Sequence, residues 1–309
     1  MKHCKNCHTP LAPRAKFCHA CGTKVVEETL DCPRCGTENP LSAKFCKNCG
    51  LDFFAKTPPH NIFEPPPTAP SEKAITEQFF DLFQRKVVEE QDAKVYAQYL
   101  ERFELSDFKP TFELRVRQLA EELEKIRAGS IRPQTESEKL LGEALEGLCD
   151  FFLIMYCQDL NVHPIPEAIL KYERAQLDGI SLDQMIMDYL DFPSESDETV
   201  YTNFLGMPLE LLKNASQSWL FPERDEKILF LCDQSLLGNL KEGFAMTEHA
   251  IYWKVALQKA RAVRYENLSE IQKEKDWLTI NQLFFHVNPN IDVKMLKLLR
   301  KLKGLYQAL

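Results

Sequence analysis

Eight of the chain's eleven cysteines fall within its first fifty residues, as Cys4-x2-Cys7, Cys18-x2-Cys21, Cys32-x2-Cys35 and Cys46-x2-Cys49. Two cysteines separated by two residues turn both sulfurs towards one point, and two such knuckles supply a tetrahedral shell of four thiolates. That donor set suits Zn2+, with Zn–S near roughly 2.3 Å. Iron accepts the same ligands, but short paired modules of this length favour zinc. Disulfides belong to oxidising compartments. The chain opens Met-Lys-His-Cys with no apolar leader, so reduced thiolates are expected. Four protein ligands per site leave no position for water or substrate. The expected cofactor is therefore two structural zinc ions, each substituting for a core with binding free energy of order 10–16 kcal/mol.

A shift of 28 residues maps the first pair of knuckles onto the second: Ala15-Lys16-Phe17-Cys18 meets Ala43-Lys44-Phe45-Cys46, and Thr9 meets Thr37. Such strict self-similarity marks two copies of one unit. Gly22, Gly36 and Gly50 follow the second cysteine of three knuckles, where a left-handed backbone turns amides towards sulfur. His8 takes that place in the first knuckle, which predicts a strained or looser site. Phe17 and Phe45, with Leu11 and Leu41, are the expected apolar caps over the metals. These cysteines and their repeat resemble the double zinc ribbon, a tandem Cys4 module attached to many unrelated bacterial and archaeal proteins. The resemblance covers residues 4–50 and implies an accessory that contacts protein or nucleic acid.

The elements behind this module are organised by composition. At 309 residues, 44% hydrophobic and 27% charged, the chain has room for two or three units with cores of their own. The expected organisation is multidomain α+β: two zinc ribbons over 1–53, a Pro-rich linker over 54–71, an all-α helical bundle over 72–222 and a β domain with a terminal helix over 223–309. The six prolines between Pro58 and Pro70 make the linker an extended spacer, on which the ribbons are expected to move independently. The densest apolar run, Leu148 to Cys157, is broken by Asp150 and is too short to span a bilayer, so a soluble cytoplasmic protein is expected.

In the helical stretch, Ser71 is placed to cap a helix bearing Ile75, Phe79, Leu82 and Phe83. A second helix carries Val95, Tyr99 and Phe103, and a third follows Ser106-Asp107 and ends at Gly129. Thr135-x-x-Glu138 reads as a capping box before a long apolar helix to about Gln158. Further helices are expected from Pro166 to Gly179, after Ser181, near 197–205 and over 208–219. The acidic residues mostly read as a solvated face. No H-E-x-x-H pair, phosphate-cradling loop, G-x-S-x-G elbow or dinucleotide fingerprint is present, so neither an enzyme nor a small-molecule substrate is indicated.

From about Glu226 the periodicity becomes alternating. Ile228–Cys232, Gly243–Thr247 and Ala250–Lys254 read as strands, the last two as a hairpin around Glu248-His249, with Arg264-Tyr265, 277–280 and 283–285 continuing the sheet. A closing helix from Asp292 to about Lys303 carries Val293, Leu296, Leu299 and Leu302 near one face, with Lys294, Lys297, Arg300, Lys301 and Lys303 as solvated basic surface. Gly243–Thr247, Ile251-Tyr252-Trp253-Lys254, Val263-x-Tyr265-x-x-Leu268 and the closing helix resemble a bacterial pleckstrin-homology-like, or GRAM-like, domain over 225–309. That resemblance implies a bent antiparallel β-barrel capped by the helix, and recognition of protein or membrane rather than catalysis.

Charge separates the function classes. The formal total of −8 divides into +4 for residues 1–50, −1 for 51–70, −14 for 71–222 and +3 for 223–309. Eight thiolates and two Zn2+ then add −4 to the ribbons and leave them near neutral, and the acidic middle repels phosphate. The expected function is a zinc-binding adaptor that contacts protein partners. The second class is a nucleic-acid regulator using Lys5, Arg14, Lys16, Arg34, Lys44 and Lys47. The third is a membrane-surface sensor using the C-terminal domain, whose 234–242 loop lacks clustered cations.

Overall fold

The computed structural model describes residues 3–4, 6–10, 15, 17–23, 29–32, 37–40, 43–48, 69–130 and 132–307. Its contacts divide the chain into two units, Met1–Thr68 and Ala69–Leu309. Cys35, Cys49, Gly36, Gly50, Leu11 and Leu41, the ribbon cations Lys5, Arg14, Lys16 and Arg34, and residues 54–68 of the expected linker lie outside the described residues.

In the first unit, β1 (Thr29–Asp31) pairs antiparallel with β2 (Glu38–Pro40), with Asp31 opposite Glu38. An isolated bridge between His3 and Pro10 is the same pair 28 residues earlier, so the sequence repeat is also a structural one.

The second unit begins with four helices. α1 (Glu72–Glu90) starts at Ser71, whose Oγ accepts from the Ala74 amide at 3.2 Å. α2 (Tyr96–Leu105), α3 (Phe108–Gly129) and α4 (Pro133–Tyr156) follow. Phe79, Phe83, Phe103, Phe112 and Phe152 interlock in their core, with ring centroids 4.5 Å apart for Phe79–Phe112. α4 begins at Pro133, ahead of the expected capping box. Proline's fixed φ and missing N–H suit the first helical position, so Thr135 and Glu138 fall inside the helix. The expected helix from Pro166 to Gly179 is two 3-10 turns, Glu167–Tyr172 and Leu177–Gly179, flanking an irregular stretch. α5 (Leu182–Leu190) follows Ser181 as anticipated.

Residues 197–205 are not helical. Thr199–Tyr201 forms β3, where β-branched and aromatic side chains suit a strand and the edge of the next strand supplies hydrogen bonds. After α6 (Leu209–Ser218) come β4 (Ile228–Asp233), β5 (Gly243–Thr247), β6 (Ala250–Lys254) and β7 (Arg261–Arg264). β3 to β7 form one antiparallel sheet in sequence order. Tyr265 leaves it in a 3-10 turn, donating from its hydroxyl to the Thr247 carbonyl at 2.7 Å. β8 (Ile271–Lys273), β9 (Leu278–Ile280) and β10 (Leu283–Phe285) form a second antiparallel sheet. No ladder joins the two sheets among the described residues, so the expected barrel is seen as two sheets packed on the final helix, α7 (Pro289–Tyr306).

The larger sheet is covered on both faces, which explains its continuous apolar runs. Phe230, Cys232, Phe244 and Trp253 pack with Leu296 and Leu299 of α7 on one side. Leu231, Ala245 and Tyr252 face Trp219 and Ala215 on the other. Gly243 has φ +154°, and a Cβ there would stand 2.2 Å from the Cys232 carbonyl oxygen, so the close strand approach requires glycine. The first core also takes in Met185, Ile186 and Leu190 of α5, and therefore crosses the division expected near residue 222.

α7 starts three residues earlier than its apolar pattern indicated, because Asn288 accepts from the Ile291 amide at 2.8 Å and caps it. Asp292 instead accepts from the Val287 amide at 3.0 Å and meets His286 Nδ1 at 2.8 Å. The lysines expected to be solvated are partly a buried set. Lys294 donates to Ser194 Oγ and Glu195, each at 2.7 Å, and Lys297 stands 2.6 Å from Glu90 and 2.7 Å from Asp150. Arg300 grips Glu89 through two bonds of 2.7 Å. Their stems pack among apolar side chains while the heads reach acids on the earlier helices. The acidic stretch 72–222 and the basic α7 are thus joined by these pairs.

Candidate metal centre

Three of the knuckles open with the same backbone bond, and two of them show its closure. The Cys4 amide donates to the Thr9 carbonyl at 2.9 Å, Cys18 to Thr23 at 2.8 Å and Cys32 to Thr37 at 2.9 Å. The knuckle then closes on itself through His8 N to Cys4 O and Gly22 N to Cys18 O, both 2.9 Å. Closure needs a left-handed residue after the second cysteine. Gly22 has φ +72° and His8 has φ +56°, so the histidine adopts the glycine conformation and carries the strain its identity predicted.

The two knuckles of the first module bring Cys4, Cys7, Cys18 and Cys21 together, with all four sulfurs within 4.8 Å of one another. Cys4 and Cys21 Sγ are 3.6 Å apart, as are Cys7 and Cys18. A tetrahedron with Zn–S of about 2.3 Å has S–S edges of about 3.8 Å, so these spacings fit a single zinc ion. Cys4 and Cys18 are buried, whereas Cys7 and Cys21 are exposed. In the second module Cys32 and Cys46 are buried; their expected partners, Cys35 and Cys49, lie outside the described residues.

The electrostatics suit thiolates around a cation. The Thr9 hydroxyl, 3.2 Å from Cys7 Sγ, lowers that thiol's pKa, and the Thr23 hydroxyl, 3.1 Å from Cys21 Sγ, leads in bringing Cys21 to about 6. Cys18 moves the other way. The amides of Ala20 and Cys21 favour its thiolate, but burial and the neighbouring sulfurs of Cys7 and Cys21 outweigh them and raise it to about 11. Four sulfurs held at one point resist complete ionisation until a divalent ion neutralises them.

Three supporting residues have a role at the sulfurs that the sequence did not assign. Thr9 and Thr23 are two of them, and their signal is the recurring Cys-x-Thr in Cys7-His8-Thr9, Cys21-Gly22-Thr23 and Cys35-Gly36-Thr37. The third is Asn39, which is buried, accepts from the Lys47 amide at 2.9 Å and directs Nδ2 to Cys46 Sγ at 3.6 Å. The Asn48 and Asn6 amides point at Cys46 and Cys4 Sγ, both at 3.4 Å, from the same place in the fourth and first knuckles. The expected caps are corrected: Phe17 is 59% exposed and Phe45 52% exposed, so neither is buried over a metal.

Among the described residues no helix is long and apolar enough to cross a membrane. No curated protein and no solved structure matches the chain. Residues 4–50, with all eight paired cysteines, match the family described as a double zinc ribbon, and the chain is thus a zinc-ribbon-containing protein.

Proposed function

We propose that this protein is a non-enzymatic adaptor whose two zinc-held ribbons present a contact surface to a protein partner. The observation that carries this reading is the exposure of Phe17 and Phe45 at positions related by the 28-residue repeat. A tiny module free to bury its phenylalanines would do so. Keeping one outside in each copy supplies two aromatic anchors of the kind that dominate protein interfaces. Lys44 Nζ lies 5.6 Å from the Phe45 ring centroid and adds a cation beside one anchor. The full-length Phe17→Ser/Phe45→Ser variant should keep its zinc and melting behaviour while losing at least tenfold in affinity for the partner that co-purifies with the parent chain. Undiminished binding removes the reading. Tight, salt-sensitive binding of DNA or RNA by the parent chain, lost with Lys44→Glu, transfers the surface to nucleic acid.

For the second unit we propose a pleckstrin-homology-like arrangement. Four antiparallel strands β4–β7, three more in β8–β10 and a final helix packed on both sheets support it. β3 at the open edge of β4, and α6 over the outer face, are additions to that plan. A second functional reading, peripheral membrane contact, draws on Leu236 and Leu237, 97% and 81% exposed in the β4–β5 connection. Co-sedimentation with anionic vesicles, abolished in Leu236→Ser/Leu237→Ser, would favour it. Absence of co-sedimentation leaves the protein-binding role.

A further inference from the structure

A cleft of about 960 Å³ opens in the second unit between α4, α7 and the two 3-10 turns, with the end of α1 at its floor. That is the upper end of the size range of small-molecule sites, roughly 300–1,000 Å³. Leu140, Ile169, Leu170, Leu177, Tyr189 and Leu305 line its walls. Gly142 of α4 and Gly304 of α7 also line it, and a Cβ built on either would meet nothing within 4 Å. Both helices therefore carry a helix-weakening residue where an alanine would clash with nothing.

The floor is charged and unbalanced. Lys86 and Lys297 face Glu90, Glu146 and Asp150, two ammoniums against three carboxylates. Arg300, the next cation along α7, is committed to Glu89 and does not correct the excess. Burial opposes the Lys86 charge, but Asp150, Glu90 and Glu146 more than restore it. Likewise burial opposes the Asp150 charge, and Lys297 and Lys86 bring its pKa down to about 2.

Hydrogen bonding is unbalanced too. Lys86 donates to Glu146 and Lys297 donates to Asp150 at 2.7 Å. Glu90 is only 1% exposed and is ion-paired with Lys297 Nζ at 2.6 Å and Lys86 Nζ at 3.5 Å, but neither contact has hydrogen-bond alignment. A buried carboxylate whose two ion pairs lack hydrogen-bond alignment, in the wall of an open cleft, has room for a better-aligned donor.

We propose that this cleft binds a small organic cation, with an ammonium or amidinium head donating to Glu90 and Glu146 and an apolar body lying along the leucine and tyrosine walls. A cation offsets the net negative floor and supplies an aligned donor. An anion would add to the excess. This ligand site lies within the second unit and does not rest on the ribbon reading.

The test uses the full-length, zinc-loaded chain and three probes with one body and different heads: hexylamine, hexan-1-ol and hexanoate. Calorimetric titration should show saturable one-to-one binding of hexylamine, at least tenfold tighter than either of the others. Gly142→Phe should fill the cleft, weakening hexylamine at least tenfold while keeping the parent melting temperature. Glu90→Gln should bring hexylamine to within threefold of hexan-1-ol. Should Glu90→Gln fail to fold, the head-group series with Gly142→Phe decides alone. Failure of hexylamine to saturate, equal or tighter binding of hexan-1-ol or hexanoate, or unchanged affinity in a folded Gly142→Phe overturns the proposal.

Discussion

Asp150 Oδ1 accepts from Lys297 Nζ at 2.7 Å across 147 residues of sequence, and the same oxygen lies 3.0 Å from Lys86 Nζ. One carboxylate oxygen therefore links α1, α4 and α7. Each ion in this group loses hydration on burial, and only its partners offset that loss. The network is accordingly sensitive to removal of a single member.

Lys297→Met tests this directly. The substitution keeps most of the stem volume but leaves Glu90, Glu146 and Asp150 facing Lys86 alone. The expected cost is about 3–5 kcal/mol, the range for breaking a buried pair from one side. Adding Glu90→Leu should return much of that stability, because the uncompensated charge goes with it. Urea unfolding of parent, single and double variants measures both quantities. A single-variant cost below about 1 kcal/mol would show that the network carries little of the fold.

The pH dependence follows from the same group. Asp150 has a folded pKa of about 2 against an ordinary value of 3.8. Its folded value is depressed, so its stabilisation is fully present above the unfolded pKa and is lost as pH falls from about 4 towards 2. Asp150→Asn should therefore be less stable than the parent at pH 6, with the difference shrinking at pH 2.5. Urea midpoints at the two pH values check it. A constant difference would mean that Asp150 is not the titrating contributor.

The cysteine ligands were legible because metal geometry is written in local spacing: Cys4, Cys7, Cys18 and Cys21 meet where their two knuckles indicated. The helices with strong 3.6-residue periodicity and the β5–β6 hairpin were legible for a similar local reason. The α7 cations were not. Lys294 and Lys297 look like solvent-facing residues until the helix is surrounded by α1, α4 and α5, and only tertiary structure brings in their carboxylates. The opposed charges of residues 72–222 and α7 were the available signal. β3 was missed because three residues beside a partner strand leave almost no periodicity of their own. Aromatic residues usually bury, which points Phe17 and Phe45 inward, but a module held by cysteines leaves both exposed.

Removing zinc should affect the two units unequally. The first unit has no extended apolar core among its described residues, and four of its buried side chains are cysteines. A structural zinc is worth on the order of 10–16 kcal/mol to such a module. A strong chelator should therefore release two equivalents of zinc and lose the amide protection of residues 3–48. The helical circular dichroism, which arises from 72–306, should barely change. Release of one equivalent or none would contradict the second site or both. Collapse of the helical signal would show that the second unit depends on the ribbons.

The last prediction isolates the strain at His8. Its φ of +56° matches the +72° of Gly22 in the equivalent turn, and both residues close a 2.9 Å bond to the knuckle's first cysteine. Left-handed backbone costs an L-residue roughly 1–2 kcal/mol, although histidine tolerates it better than most. Glycine avoids that cost but loses roughly 0.5–1 kcal/mol of unfolded-chain entropy on ordering. His8→Gly should therefore be neutral to stabilising by up to about 1 kcal/mol, whereas the β-branched His8→Val should loosen the knuckle. The readout is the rate of zinc transfer from the first module to a chromophoric chelator, expected to rank Val fastest, His intermediate and Gly equal or slowest. Faster loss from His8→Gly than from the parent would mean that the imidazole itself supports the site, and that strain is not what distinguishes the first knuckle from the second.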